Sequence, residues 1–126
     1  MTDRRSLGLA TRRSVLGEAH VARAEAATSP FDAPFQELIT EGAWGTVWSR
    51  PGLAPRDRSL LTLVLLAALG HWEEFAMHIR ATANTGASRE EVAEALLHVA
   101  VYAGVPAANQ AFRLARETYR EMGIDV

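Results

Sequence analysis

Residues 56–86 read RDRSLLTLVLLAALGHWEEFAMHIRATANTG, and this stretch decides the fold of the chain. Between Leu60 and Leu69 only Thr62 is polar, so we expect a helix that is apolar on nearly every side and therefore buried. A glycine interrupts the pattern at position 70, and a second helix is expected over residues 71–85. The pattern predicts two adjacent helices at the centre of an all-α protein.

The second of these helices carries three ionisable side chains, His71, Glu74 and His78. Their spacing of i, i+3 and i+7 predicts that they share one helical face. A later apolar helix places His98 and Tyr102 at i and i+4, and therefore also on one face. Titratable groups set against an apolar core are typical of functional sites, although a single buried histidine is often only structural.

A metal site formed by His71, Glu74 and His78 is a weaker interpretation. His71 and His78 are two helical turns apart, about 10 Å along the axis, which is too far for both to bind one ion. Glu74 and His78 could share an ion, but no carboxylate-rich motif completes such a site. We therefore expect neither a metal nor another cofactor.

Composition excludes several classes of function. The 126 residues are 48% apolar and 22% charged, as in an ordinary globular protein, and the net charge of −2 gives no reason to expect nucleic acid or an anionic membrane as a partner. Cysteine and lysine are both absent, which excludes disulfides, thiol nucleophiles and Schiff-base chemistry. The arginine pairs near the start are not followed by a continuous apolar stretch, so a cytoplasmic location is expected.

The connector ITEGAWGTVWSRPG at residues 39–52 is unusual in composition. Its glycines predict a loop, and this loop gathers Glu41, Trp44, Trp48 and Arg50. Such a loop can line a binding site, or its tryptophans can cap the core while its charges are solvated.

Two arginines, Arg56 and Arg58, lie in the first turn of the helix that starts near Pro55. With the free N–H groups of that helix they could form an anion pocket, or they could be solvated surface charges.

The whole chain is expected to form one all-α domain of six helices, residues 1–126, with residues 1–9 flexible. The expected helices cover residues 10–27, 33–44, 55–69, 71–85, 88–103 and 106–122. Phe35 is expected on the core face of the second helix, and Ser88 and Glu91 are expected to form a capping box at the start of the fifth. Two nearly all-apolar helices exceed what one small domain can cover, so part of their surface is expected to be buried between subunits.

Four segments carry a resemblance to a known family: GAWGTVWSRPGL at 42–53, RDRSLLTL at 56–63, EFAMHIRAT at 74–82 and LLHVAVYAGVPAA at 96–108. The chain resembles the carboxymuconolactone decarboxylase family over residues 12–123. The related alkylhydroperoxidase D-like proteins have a Cys-x-x-Cys-x-x-x-His motif, and His71 and Glu74 stand at its cysteine positions. The peroxidase dithiol is therefore missing, and that activity is not expected.

The resemblance implies an all-helical subunit of the alkylhydroperoxidase D-like type in a cytoplasmic homo-oligomer, a trimer or hexamer. It also implies a cofactor-free carboxy-lyase that converts 4-carboxymuconolactone to 3-oxoadipate enol-lactone in the protocatechuate branch of aromatic catabolism. The lactone carbonyl of this substrate can accept the electrons of the departing carboxylate, so no organic cofactor is required.

The chemistry of that reaction suggests roles for the matching residues. His78 is expected to donate the proton or to stabilise the oxyanion, with Glu41 or Glu74 orienting it. The residues expected to bind the dicarboxylate substrate or to shape its pocket are Arg50, Arg56, Arg58, Trp44, His98 and His71.

Two other functions remain open from the sequence. The same scaffold could act on a different small acidic lactone, because pocket residues can change within a fold. The chain could also be a non-catalytic oligomeric binding protein, which turnover of the lactone would distinguish from an enzyme.

Overall fold

The computed structural model describes residues 3–126, which form two compact units that divide between Ala54 and Pro55. Every regular element in these residues is helical. The first unit contains α1 (Arg4–Leu16), α2 (Glu18–Ala27), α3 (Ala33–Ile39) and a π-helical segment (Thr40–Val47). The second contains α4 (Pro55–Leu69), α5 (Trp72–Thr85), α6 (Arg89–Tyr102) and α7 (Val105–Glu121). The all-α prediction is confirmed, whereas the six predicted helices are in fact seven α-helices and a π-helical segment.

The additional α-helix results from a break at Gly17. This glycine has φ of 91°, a conformation that disfavours other residues, and it separates α1 from α2 within the single helix predicted for residues 10–27. The predicted start was also wrong, because Asp3 caps α1 by accepting a hydrogen bond of 2.7 Å from the backbone N–H of Ser6. Of the segment 1–9 that we expected to be flexible, Met1 and Thr2 lie outside the described residues.

Two glycines allow α1 to pack closely against the π-helical segment. A β-carbon at Gly8 would overlap the carbonyl oxygen of Thr40, and one at Gly45 would overlap the carbonyl oxygen of Arg4. Gly45 was interpreted from the sequence as a helix breaker. Its role in the structure is to permit contact between two backbones.

The core of the second unit lies among α4, α5, α6 and α7. Its buried residues follow helical spacing, and they are Leu63, Ala67, Phe75, Ile79, Val92, Leu96, Val99, Ala108, Ala111, Ala115 and Tyr119. The predicted capping box of α6 is confirmed, since Ser88 and Glu91 bond each other's backbone N–H groups at 3.0 Å. The predicted end of α5 is also confirmed, because Gly86 adopts the left-handed conformation.

Within the single chain only one face of α4 is buried. Leu63 is 0% exposed, but Leu65 is 59% exposed, and Leu61 and Leu69 lie beside it on the same exposed face. The side chain of α3 that we expected in the core, Phe35, is also exposed. Apolar composition alone did not indicate which face of a helix the chain itself covers.

No helix in residues 3–126 combines the length and the apolar character needed to cross a membrane.

Candidate active site

His78 is the most deeply buried of the predicted site residues on α5. It is 6% exposed and lies next to Ile79 and one turn after Phe75, two core residues. His71 precedes the helix as its N-terminal cap residue, with non-helical backbone angles, and is exposed. Glu74 is exposed as well. The predicted row of three is therefore corrected: His71 lies outside the helix, and of the remaining two residues only His78 is buried.

Glu74 and His78 remain neighbours on α5, since an i, i+4 pair lies on adjacent turns of one face. A carboxylate one turn from a buried imidazole can fix its orientation and favour its protonated form.

The two arginines of α4 have different environments. Arg56 is exposed and forms ion pairs with Glu91 at 2.6 Å and with Asp57 at 3.3 Å. The pKa of Glu91 is lowered mainly by the backbone N–H of Ser88, and the charge of Arg56 lowers it further. Arg58 is half-buried. Because its charge is already matched by two carboxylates, Arg56 is less suited to bind an anion than we expected.

His98 and Tyr102 share one face of α6, as predicted. Their rings stack with centroids 6.3 Å apart and planes 9° apart. Both are on the surface, and Tyr102 is 85% exposed. His98 borders a shallow concavity of about 400 Å³, whose other lining residues are Leu60, Glu90, Glu91, Glu94 and Ala95. The histidine therefore lies at an acidic surface and not in an enclosed pocket.

In the first unit, the connector that we predicted to be a loop is the π-helical segment and the turn that follows it. The backbone N–H of Trp48 donates to the carbonyl of Ala43 at 2.9 Å, which is the i to i−5 bond of a π-helix. Trp44 is buried, and its ring centroid lies 5.2 Å from that of Trp48. The widened helical turn holds these large rings together, and π-helical turns occur frequently at functional sites.

The two charged residues of this connector are both exposed. Glu41 lies in the first turn of the π-helical segment, and Arg50 follows its end, where its backbone N–H donates to the carbonyl of Val47 at 3.1 Å. Ser49 fixes the turn by donating its hydroxyl to the carbonyl of Trp44 at 2.5 Å. The first unit thus contributes one buried tryptophan, one acid and one arginine to the set of candidate residues.

Among residues 3–126, no three histidine, cysteine, aspartate or glutamate side chains are grouped so that they could hold a metal ion. A cavity of about 340 Å³ between α6 and α7 contains none of the predicted site residues. Its lining is mainly apolar and includes Val92, Leu96, Phe112, Ala115 and Tyr119.

Sequence reasoning missed one functional candidate, the buried arginine Arg12. A signal for it was present, because Gly8, Arg12 and Val15 follow the i, i+4, i+7 spacing of a core-facing stripe on α1. Arginine was not expected on such a stripe, since buried charges are rare.

The chain is similar to known proteins over most of its length. Residues 33–117 match the model of the carboxymuconolactone decarboxylase family, a segment that begins in the first unit and ends in the second. The chain is 46% identical over 117 residues to 4-carboxymuconolactone decarboxylase of Acinetobacter baylyi, covering 93% of this chain and 87% of the relative. It is 45% identical over 115 residues to nitrosuccinic acid decarboxylase of Metarhizium robertsii, covering 91% of this chain and 80% of that relative.

Proposed function

Because the chain belongs to the carboxymuconolactone decarboxylase family, we propose that it is a carboxy-lyase that converts 4-carboxymuconolactone to 3-oxoadipate enol-lactone. The observation that carries this proposal is the 46% identity, over 93% of the chain, to a decarboxylase named for that substrate. The pathway would then be the protocatechuate branch of aromatic catabolism. The family match includes part of both units, which supports treating residues 1–126 as one family domain.

The reaction needs no electron sink beyond the substrate. The bond between the quaternary ring carbon and its carboxylate breaks, and carbon dioxide leaves. The electron pair passes through the ring double bond into the lactone carbonyl, which gives a dienolate. A proton then adds to the ring carbon next to that carbonyl. The protein has to bind the remaining carboxylate, stabilise the dienolate oxygen and supply the proton.

We assign the proton transfer to His78. Its burial supports this role, because a proton donor shielded from water interacts more strongly with a developing oxyanion. Glu74, one turn before it, would orient the imidazole. Glu41, the other acid considered from the sequence, lies in the first unit.

We assign the binding of the remaining carboxylate to Arg58 or Arg50, with a smaller part for Arg56. Arg56 has the smaller part because Glu91 and Asp57 already match its charge. Trp44, which is buried, and the exposed histidines His71 and His98 are the further candidates for contact with the substrate.

The working form of the protein would be a homo-oligomer, a trimer or hexamer, in the cytoplasm. The exposed apolar side chains support assembly, because monomers rarely leave such a stripe in water. On α4 these are Leu61, Leu65 and Leu69, and around the end of α6 they are Leu97, Val101, Tyr102 and Val105. Cell fractionation would test the location.

The experiment that tests this function measures carbon dioxide release from freshly generated 4-carboxymuconolactone. Metal-free protein is used with a chelator present, the spontaneous rate is subtracted, and formation of the enol-lactone is followed in parallel. Turnover well above background supports a cofactor-free decarboxylase. A folded protein with no rate above background would contradict the proposal and favour a binding protein or a different lactone.

Nitrosuccinic acid is a second candidate substrate, because the identity to the Metarhizium decarboxylase is nearly the same, 45%. The two compounds share their chemistry: each carries two carboxylates and one electron-withdrawing group, a lactone carbonyl or a nitro group, that can accept the electron pair. The same assay with nitrosuccinate decides between them by the ratio of the two kcat/KM values.

His78→Gln is the variant that tests the proton donor. We expect kcat to fall by about 100-fold or more, since general acid–base groups contribute on that scale. Arg113→Gln, at an exposed position of α7 that belongs to no candidate site, serves as the control and should lose much less activity. Near wild-type turnover by a folded His78→Gln protein would show that the proton comes from another group.

A further inference from the structure

Arg12 is a buried charge that the proposed reaction does not use. Its side chain lies in α1 of the first unit, and the residue is only 8% exposed. Within residues 3–126 no carboxylate lies within 4.0 Å of its guanidinium, and its Nε atom is buried without a hydrogen-bond partner. Its one hydrogen bond goes from Nη1 to the neutral Oε1 of Gln36, at 3.2 Å. Buried guanidinium groups are normally paired, because removing a charge from water is costly.

The charge of Arg12 faces a cavity of about 200 Å³, several times the roughly 30 Å³ that a water molecule occupies in the liquid. The cavity lies among α1, α2, α3 and the start of the π-helical segment. Its lining consists of Arg5, Leu9, Arg12, Glu25, Thr28, Ala33, Gln36, Glu37 and Thr40. It lies entirely within the first unit.

Hydrogen-bond donors around this cavity suit an anion. The guanidinium groups of Arg12 and Arg5, the amide of Gln36 and the hydroxyl of Thr40 are the donor groups of its lining. Leu9 and Ala33 add a small apolar wall. A planar carboxylate matches the fork of a guanidinium better than a spherical anion does, and a short alkyl chain would fit against the apolar wall.

Two carboxylates at the cavity limit the charge of the ligand. Glu25 forms an ion pair with Arg13 at 3.5 Å, and Glu37 is exposed. The pKa of Arg12 is lowered by burial, and the charge of Glu25 acts in the opposite direction. A ligand with a second carboxylate would be repelled by these acids, so the cavity favours one negative charge over two.

We propose that this cavity is a binding site for a small monocarboxylate, with Arg12 pairing its charge. Its lining contains none of the residues assigned to the proposed reaction. Binding at this cavity would make the stability of the first unit depend on the concentration of a small organic acid, since a ligand that binds only the folded state stabilises that state.

The test uses propionate as the probe and the neutral isostere propionamide as its control. The NMR signal of the Arg12 Nε–H in the full-length wild-type protein is followed during each titration. We expect a saturable shift with propionate, a much weaker one with malonate, and none with propionamide. In calorimetric titrations Arg12→Gln should weaken propionate binding by about tenfold or more, since a charge-assisted pair is lost. The exposed Arg23→Gln, on α2 and outside the cavity, should bind propionate as the wild type does.

Several outcomes would overturn the proposal. An Arg12 signal that does not respond to propionate, or that responds equally to propionamide, would show that the cavity does not bind a carboxylate. Equal loss of binding in Arg12→Gln and Arg23→Gln would place any binding elsewhere. If Arg12→Gln dissociated an oligomer while the wild type ignored propionate, the partner of Arg12 would be an acid from another subunit. The wild-type measurement decides the question even if Arg12→Gln does not fold.

Discussion

Arg56 and Arg58 are two positions apart on α4, yet the structure gives them different environments. Arg56 is exposed and paired with Glu91 and Asp57, whereas Arg58 is half-buried. From the sequence both were candidates to bind a carboxylate, because both are arginines in the first turn. Only the fold brings Glu91 of α6 to Arg56 and so shows that the charge of Arg56 is matched within the protein.

This difference gives a prediction for substrate binding. Arg58→Gln should raise KM about tenfold or more, because a hydrogen bond to a charged group contributes about 1.5–3 kcal/mol. Arg56→Gln should change KM less than about threefold, since its charge is mostly used within the protein. Steady-state kinetics with the decarboxylation assay measures both variants. An equal effect of the two substitutions would mean that Arg56 leaves its acidic partners to bind substrate.

His20 on α2 gives a prediction for stability as a function of pH. Its pKa is lowered by burial first, and then by the positive charges of Arg12 and Arg23. The unfolded chain therefore takes up the proton at a higher pH than the folded one, near the ordinary value of about 6.5. Consequently the contribution of His20 to the free energy of unfolding is fully present above that pH. It is lost as the pH falls towards the pKa of His20 in the folded state.

Urea denaturation of the wild type and of His20→Gln, at a series of pH values from about 7.5 down to about 5, measures this effect. The variant should lose less free energy of unfolding than the wild type as the pH falls. An unchanged slope in the variant would assign the pH dependence to other groups.

At the scale of elements, Gly45 and Gly42 lie in the same π-helical segment but differ in the space around them. A β-carbon at Gly45 would overlap the backbone of α1, whereas one at Gly42 has no neighbour within 4 Å. The sequence indicated only that both glycines interrupt a helix. The packing of α1 shows that one of them is required for contact and the other is not.

Gly45→Ala should therefore destabilise the protein by about 1–3 kcal/mol, the usual cost of forcing an additional group into a packed contact. Gly42→Ala should be neutral or slightly stabilising, because alanine favours helical backbone and space is available. The free energy of unfolding in urea measures both. A stable Gly45→Ala protein would show that α1 can move away from this segment without cost.

At the scale of the whole molecule, the exposed stripe on α4 bears on assembly. Leu61, Leu65 and Leu69 repeat at i, i+4 and i+8, so they form one continuous apolar face. The sequence predicted an apolar helix, and the structure shows that the chain itself covers only the opposite face. We expect a second copy of the chain to cover this stripe.

Leu65→Glu should therefore reduce the oligomer to smaller species, since an unpaired charge would be buried at the contact. Size-exclusion chromatography with light scattering measures the mass. Arg120→Glu, at an exposed position of α7, adds acidic charge outside the stripe and should leave the mass unchanged. An oligomer that tolerates Leu65→Glu would place the subunit contact on another surface.

Helical periodicity, the capping box at Ser88 and the stop at Gly86 are local signals, and they determined the helical class and most boundaries of α4 to α7. The motifs around Trp44 and His78 were sufficient to indicate the family. The break at Gly17 was not evident, because a single glycine is compatible with a continuous helix until its φ is known.

Tertiary structure alone decided which side chains are buried or paired. It separated buried His78 from exposed His71, joined Arg56 to Glu91, and placed Arg12 against a cavity. It also placed a π-helical segment where a loop was predicted, and packed it against α1 at a contact that only glycine allows. These properties depend on residues far apart in the chain, and local periodicity does not contain them.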